Sequence, residues 1–388
     1  MRKLTFIYMD SVEKAIMESV AEEARKRGYE TELTTDKFVK CDIGFYCQHV
    51  NFPQYSKVSV IMLHDIVQQF GYWPDLWMRE PWNKYDIGIL PSDQWVKNWN
   101  QCSQYFYANP RYGVYKVGWP KADFAANIDK NAYREKFYKE YGLDESKKTV
   151  LYAPAWENDG KQDDFVKAML KLDVNILIKQ YPATPTNFPE MYKCIQEMNE
   201  KHKDIPGVTI LDGKMNIFEA ILAADMLVSE ESSTLAEAVM MGIPSVSVSD
   251  WLIPDTVPSR LPNCNYDFVV KTTKAELSNC VNDILDNYDK YKGEAEGSRE
   301  RTFCNIGKSA SMIMDILEDY LNKKESRYPK LTRNHKKMVS FKKFIKYAGI
   351  NLNRAVMYNY GVRHKSVMVM WDILRKVKKL FFKTPIEN

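Results

Sequence analysis

From residue 3 to about residue 320, this chain alternates short apolar runs, rich in β-branched and aromatic residues, with stretches of helical periodicity. In residues 1–125 the strand-like runs fall at Lys3–Tyr8, Asp42–Tyr46, Val58–Leu63, Asp86–Leu90 and Tyr105–Ala108, and Met17–Gly28 reads as an amphipathic helix ended by its glycine. A helix at Arg134–Gly142 opens a second series, with strands at Val150–Ala153, Asn175–Gln180, Val208–Leu211, Asp225–Ser229, Ser245–Ser249 and Asp267–Val270. Helical stretches at Asp164–Leu172, Phe188–His202, Ile217–Ala223 and Thr234–Gly242 lie between them, and Lys274–Lys290 and Arg301–Lys323 read as closing helices. Alternation of this kind predicts α/β units, each a parallel sheet covered by helices. The expected division is 1–125, 126–325 and a remainder at 326–388. Two such units joined by one linker leave a cleft between their strand C-terminal edges, where open α/β sheets bind ligands.

With 388 residues, 45% apolar and 27% charged, the chain can bury two cores and is not of disordered composition. No run approaches the ~18 apolar residues of a membrane-spanning helix. Asp10 interrupts the first apolar stretch too early for a signal peptide. Seven scattered cysteines without a C-x-x-C pair predict reduced thiols and a cytoplasmic protein.

Charge is unevenly placed. Residues 326–388 carry sixteen lysines and arginines against Asp372 and Glu387, a net +14; the whole chain is +4, so the remainder is −10. Within this tail, Val367, Met370, Trp371, Leu374, Val377 and Phe381 share one helical face, opposite Arg375, Lys376, Lys379 and Lys383. Basic amphipathic helices with Trp and Phe favour an anionic membrane surface. Docking on the acidic body is the plainer alternative, and no nucleic-acid motif accompanies the charge.

The strongest local pattern is Asp225-Met-Leu-Val-Ser-Glu-Glu-Ser232-Ser233-Thr234-Leu-Ala-Glu237, closed by Gly242-Ile-Pro244. A buried strand ends in small hydroxyl residues that open a helix, a place suited to a pyrophosphate, with Glu237 set to accept from ribose hydroxyls. An ordinary N-cap at Ser232 or Ser233 explains the same residues more simply.

In this order the motifs resemble those of the CDP-glycerol glycerophosphotransferases, the teichoic acid primases and polymerases. Ser232-Ser233 and Glu237 match that family's Ser-Ser and the acid four residues on, Glu replacing Asp. Val150-Leu-Tyr-Ala-Pro-Ala-Trp156 resembles its Leu-Tyr-Ala-Pro-Thr-Trp strand, and Gly118-Trp-Pro120-Lys121-Ala-Asp123 resembles its Gly-x-Pro-Arg-x-Asp linker. Ile61-Met-Leu-His64 ends a strand as its Trp-His-Gly does. The resemblance covers about residues 40–320. It implies a GT-B fold: two Rossmann-like domains, an acceptor domain at 1–125 and a nucleotide-donor domain at 126–325, facing across a cleft. It also implies transfer of glycerol phosphate from CDP-glycerol to a hydroxyl of a lipid-linked acceptor, with CMP leaving.

On that basis His64 is the candidate general base, since imidazole takes a proton near neutral pH; His49 is the runner-up, and a purely structural His64 is the alternative. Asp65 stands where the family has glycine, placed to orient His64 or to repel an anionic acceptor. Trp156, Lys179, Tyr181, Ser232, Ser233, Thr234 and Glu237 are the expected donor-binding residues, with Gly118, Pro120 and Lys121 in the cleft linker. Tyr181 occupies the position of a family histidine: in Leu177-Ile-Lys179-Gln-Tyr181-Pro182 a phenol replaces imidazole, able to donate a hydrogen bond but titrating near ~10. Trp73, Arg79 and Trp82, in an aromatic segment after His64, are the acceptor-side candidates, although a buried aromatic cluster fits the tryptophans equally and surface charge is the commoner explanation of Arg79. No Asp-x-Asp at a strand end and no His or Cys pair has metal-ligand spacing. The expectation is chemistry without a tightly bound metal, Mg²⁺ held loosely on the diphosphate staying open.

Together these readings predict a peripheral enzyme on the cytoplasmic membrane face, moving a polyol phosphate from a CDP-linked donor to a lipid-linked glycan in teichoic acid or capsular polymer synthesis. A GT-B glycosyltransferase using a UDP-sugar, and an inactive GT-B membrane scaffold, are the alternatives.

Overall fold

The computed structural model describes residues 2–47, 51–66, 77, 80, 82–103, 106–186, 188–253, 269–333 and 373. The first sheet comprises β1 (Lys3–Ile7), β2 (Glu30–Thr34), β3 (Cys41–Cys47), β4 (Ser56–Met62), β5 (Ile87–Leu90) and β6 (Gly113–Lys116). They lie in the order β2-β1-β3-β4-β5-β6, every pairing parallel. The second comprises β7 (Lys148–Tyr152), β8 (Val174–Ile178), β9 (Val208–Ile210), β10 (Met226–Ser229), β11 (Ser245–Val248) and β12 (Val270–Thr272). Its order is β12-β11-β10-β7-β8-β9, again parallel throughout. Parallel sheets are covered on both faces, so their inner strands are continuously apolar; Leu4, Phe6, Val60, Ile61, Val150, Leu151 and Leu227 are all fully buried.

Helix α1 (Ser11–Lys26) begins where Asp10 Oδ1 accepts from the backbone N–H of Val12 and Glu13 at 3.0 and 2.9 Å. Its buried stripe, Ile16, Met17, Val20, Ala21 and Ala24, has the three-and-four spacing of one helix face. Each large apolar side chain buried this way contributes about 1.5–3 kcal/mol.

Three expectations are corrected. Within the expected strand Tyr105–Ala108, Phe106–Ala108 is a 3₁₀ turn, and among the described residues the chain next pairs at β6, beyond Pro110. Arg301–Lys323 is not one helix. A helix at Tyr288–Thr302 ends, Asn305 and Gly307 take positive φ (55° and 84°), and a new helix runs over Ser309–Leu321. That last helix does not close the second unit, to which residues up to 325 were assigned; it returns to the first. Arg27 clamps it to α1, donating to Asp315, Glu318 and Ser311 at 2.7–3.2 Å.

The start of the basic tail is docked. Arg327 pairs with Asp319, Tyr328 donates to Asp315 at 2.7 Å, and Leu331 N–H donates to Val114 O at 2.9 Å. The amphipathic stretch at 366–382 lies outside the described residues, Ile373 excepted. No described helix is long and apolar enough to cross a membrane.

Candidate active site

A cavity of about 400 Å³ opens between the C-terminal edges of the two sheets. The first unit supplies the loop after β1 (Met9, Asp10, Ser11, Val12) and, after β4, His64 and Asp65. Lys121 comes from the linker. The second unit supplies Ala153–Ala155, Lys179–Pro182, Phe188, residues 213–217, Glu231–Thr234 and Glu237.

His64 is carried there by strand mechanics. The apolar run of β4 continues to Leu63, buried, and His64 stands just beyond it. The backbone on its far side is pinned: Trp95 Nε1 donates to Asp65 O and Ser92 Oγ to Ile66 O, both at 2.9 Å. His64 Nε2 pairs with Asp65 Oδ2 at 3.0 Å. Burial draws its pKa down, but the carboxylates of Asp65, Glu13 and Asp10 prevail and raise it to about 9.

Across the cavity, Ser233 is the helix N-cap but makes no side-chain capping bond. Ser232 Oγ accepts instead from Thr234 N–H at 3.3 Å, and Thr234 Oγ1 donates to Ala153 O at 2.9 Å. All three line the cavity. Glu237 is buried in the first turn of that helix. Its Oε1 accepts from Trp119 Nε1 at 3.0 Å and Lys121 Nζ at 2.9 Å, tying the linker to the second unit. Among the described residues its Oε2 has no hydrogen-bond partner. Gly118 allows this approach: it holds φ +93°, and a Cβ there would sit 2.4 Å from Cys304 O. Pro120 starts the turn that delivers Lys121, and Asp123 accepts from Ser309 and Ala310 N–H, fastening the returning helix.

Lys179 is almost fully buried and donates to Gly213 O at 3.0 Å. Burial, then the neighbouring Lys121 cation, lower its pKa to about 8. Tyr181 meets the edge of Phe188, ring centroids 6.0 Å apart; burial, followed by Asp10 and Asp65, pushes its phenol well above the usual range.

Two expected residues stand elsewhere. Trp156 is not in the lining: its ring packs on Phe188, centroids 5.1 Å apart, and its backbone N–H donates to Glu230. Trp82 is no acceptor wall; it is fully buried in a core cluster with Trp77, Trp95 and Trp99, and a Cβ on Gly88 would strike its ring. Trp73, Arg79 and His49 lie outside the described residues. The sequence reading missed Asp10, whose signal was its place between an apolar strand and a helical stretch. It also missed Glu230, fully buried, whose Oε1 accepts from Ala155 and Trp156 N–H at 2.8 and 2.9 Å and so holds the Ala-Pro-Ala loop against the Ser-Ser loop. Among the described residues, no group of three or more His, Cys, Asp or Glu could hold a metal ion.

Residues 77–241 match the family described as CDP-Glycerol:Poly(glycerophosphate) glycerophosphotransferase. No curated protein matches the sequence. Among solved structures, the wall teichoic acid polymerase TagF is similar at TM-score 0.59 and 14% identity, over 83% of this chain and 89% of that one. The *S. aureus* MnaA–UDP structure is similar at TM-score 0.55 and 12% identity, over 86% of this chain and 100% of its own. The UDP-GlcNAc 2-epimerase of *Neisseria meningitidis* reaches TM-score 0.56 at 11% identity, over 82% and 100%. At such identities the structural likeness is one of fold, GT-B, with two parallel-sheet units facing across a cleft. Motif and fold therefore agree: residues 77–241 carry the pattern of the CDP-glycerol glycerophosphotransferase-like transferases, and they do so within a GT-B fold.

Proposed function

We propose that this protein moves glycerol phosphate, or a related polyol phosphate, from a CDP-linked donor to a hydroxyl of a lipid-linked glycan. The observation that carries the reading is that His64 from one unit and Ser232, Ser233, Thr234 and Glu237 from the other line a single cavity. The hydroxyls and Lys179 take the donor's phosphate oxygens, and the unpaired Oε2 of Glu237 accepts from the ribose hydroxyls. The acceptor oxygen attacks the phosphorus that bears the polyol; the bond from that phosphorus to the bridging oxygen breaks, and CMP leaves with the electron pair. His64, oriented by Asp65, takes the acceptor's proton. Tyr181 donates a hydrogen bond to a phosphate oxygen, where charge grows in the transition state. Mg²⁺ on the diphosphate is compatible with this scheme, which assigns it no side-chain ligand. The expected setting is the cytoplasmic membrane face, reached through residues 326–388, in teichoic acid or capsular polymer synthesis.

One observation favours a second reading, a UDP-sugar glycosyltransferase: two structures of the same fold were solved with UDP or UDP-GlcNAc. Incubation with radiolabelled CDP-glycerol and with UDP-sugars separates them. CMP release supports the first reading and UDP release the second; release of neither, with any acceptor, supports an inactive scaffold.

A further inference from the structure

The cavity wall facing the donor residues is acidic. Among the described lining residues, the loops of the first sheet contribute Asp10, Asp65 and His64, and no lysine or arginine; with the imidazole neutral, as transfer requires, no cation on this wall offsets the two carboxylates. Glu13 is buried behind Asp10, its carboxylate accepting from Met9 N–H at 2.6 Å. The lining cations, Lys121, Lys179 and Lys214, come from the linker and the second unit. Of these, Lys121 is held by Glu237 and Lys179 by Gly213 O. Lys37 reaches the sulfur of Met9 at 3.2 Å but is not part of the lining. Glu237, 1% exposed and with Oε2 unpartnered among the described residues, marks the nucleotide end of the same cavity. The acidic wall is therefore the acceptor's side. Its potential is felt at both titratable groups nearby, since Asp10 and Asp65 act on His64 and on Tyr181.

Each transfer leaves a phosphodiester one polyol away from the new terminal hydroxyl. A second round would carry that anion to the wall beside His64. We propose that Asp10 and Asp65 make the acceptor side selective for a hydroxyl with no phosphate beside it, so that the enzyme adds one polyol phosphate to an uncharged glycan end and stops. This rests on the transferase reading above; the discrimination works through repulsion of the unwanted partner, and like charges within about 10 Å of each other in a partly buried cleft are worth about tenfold or more.

The test uses the full chain, CDP-glycerol, and two acceptor probes: an octyl disaccharide, and the same disaccharide carrying one glycerol phosphate on its terminal sugar. CMP release gives the rates and mass spectrometry the number of units added. The expected result is one added unit and at least ~10-fold lower kcat/KM on the phosphate-bearing probe. Asp10→Asn keeps a capping carbonyl for α1 and removes the charge, so it should narrow that ratio at least ~3-fold; a merely structural role would lower both rates together. Chains of several units, equal rates on the two probes, or an unchanged ratio in Asp10→Asn overturn the inference and leave the transferase reading standing. Absence of CMP release with either probe overturns both.

Discussion

His64 and Lys179 set the pH behaviour of the cleft from opposite sides. The proposed chemistry needs a neutral imidazole and a charged ammonium. Asp65, Glu13 and Asp10 outweigh burial and hold the His64 pKa near 9, whereas burial and Lys121 bring Lys179 to about 8. The productive pair of protonation states is therefore a minority at every pH. A plot of kcat/KM against pH should be bell-shaped with its maximum near about 8.5, falling about tenfold per unit well away from it. Asp65→Asn removes the chief raising influence, and the imidazole returns toward its ordinary ~6.5. The rising limb then moves below pH 7, leaving a plateau up to the Lys179 limb; an unshifted limb would show that Asp65 does not govern His64. On the donor side, Ser233→Ala combined with Glu237→Ala should raise the Kd for CDP-glycerol at least ~10-fold by calorimetry. Unchanged affinity would move the donor site elsewhere.

At the scale of elements, the parallel strands and the Ser-Ser turn were legible because period and buried runs are local signals. The ends of β4 and β10 place His64 and Ser232 where their apolar runs stop. What was not legible is decided by partners distant in sequence. β2 is an edge strand of mixed Glu, Thr and Leu, its pairing written in β1 rather than in itself. The helix at Ser309–Leu321 belongs to the first unit because Arg27 and Asp123 meet it there, contacts between residues 288 and 187 positions apart. Trp82 has the composition of a stacking residue, and only its neighbours reveal a core residue. The linker carries the clearest structural prediction. Gly118→Ala meets both a positive φ and a backbone oxygen 2.4 Å from the new Cβ, with Cys304 unable to yield as a side chain would. It should destabilise the fold by at least about 2 kcal/mol, read as a lower midpoint in urea. An unchanged midpoint would mean the linker shifts freely.

For the whole molecule, the two sheets are tied by a linker on one side and a returning helix on the other, with the cavity between. The docked start of the tail extends that tie, since Arg327, Tyr328 and Leu331 bind the first unit. Truncation after Arg333 should therefore keep that tie and abolish sedimentation with phosphatidylserine vesicles. Truncation after Lys324 should do the same to sedimentation and also lower the thermal midpoint, because Asp319 loses Arg327 and Asp315 loses Tyr328, keeping Arg27. Vesicle binding that survives the shorter cut would remove residues 334–388 as the anchor. The central claim is that imidazole and hydroxyl loop act on one donor across the cleft. It is tested most directly by CMP release from CDP-glycerol in His64→Ala, with donor affinity measured on the same sample. The account predicts at least ~100-fold slower release at nearly unchanged affinity; full activity without the imidazole would contradict it.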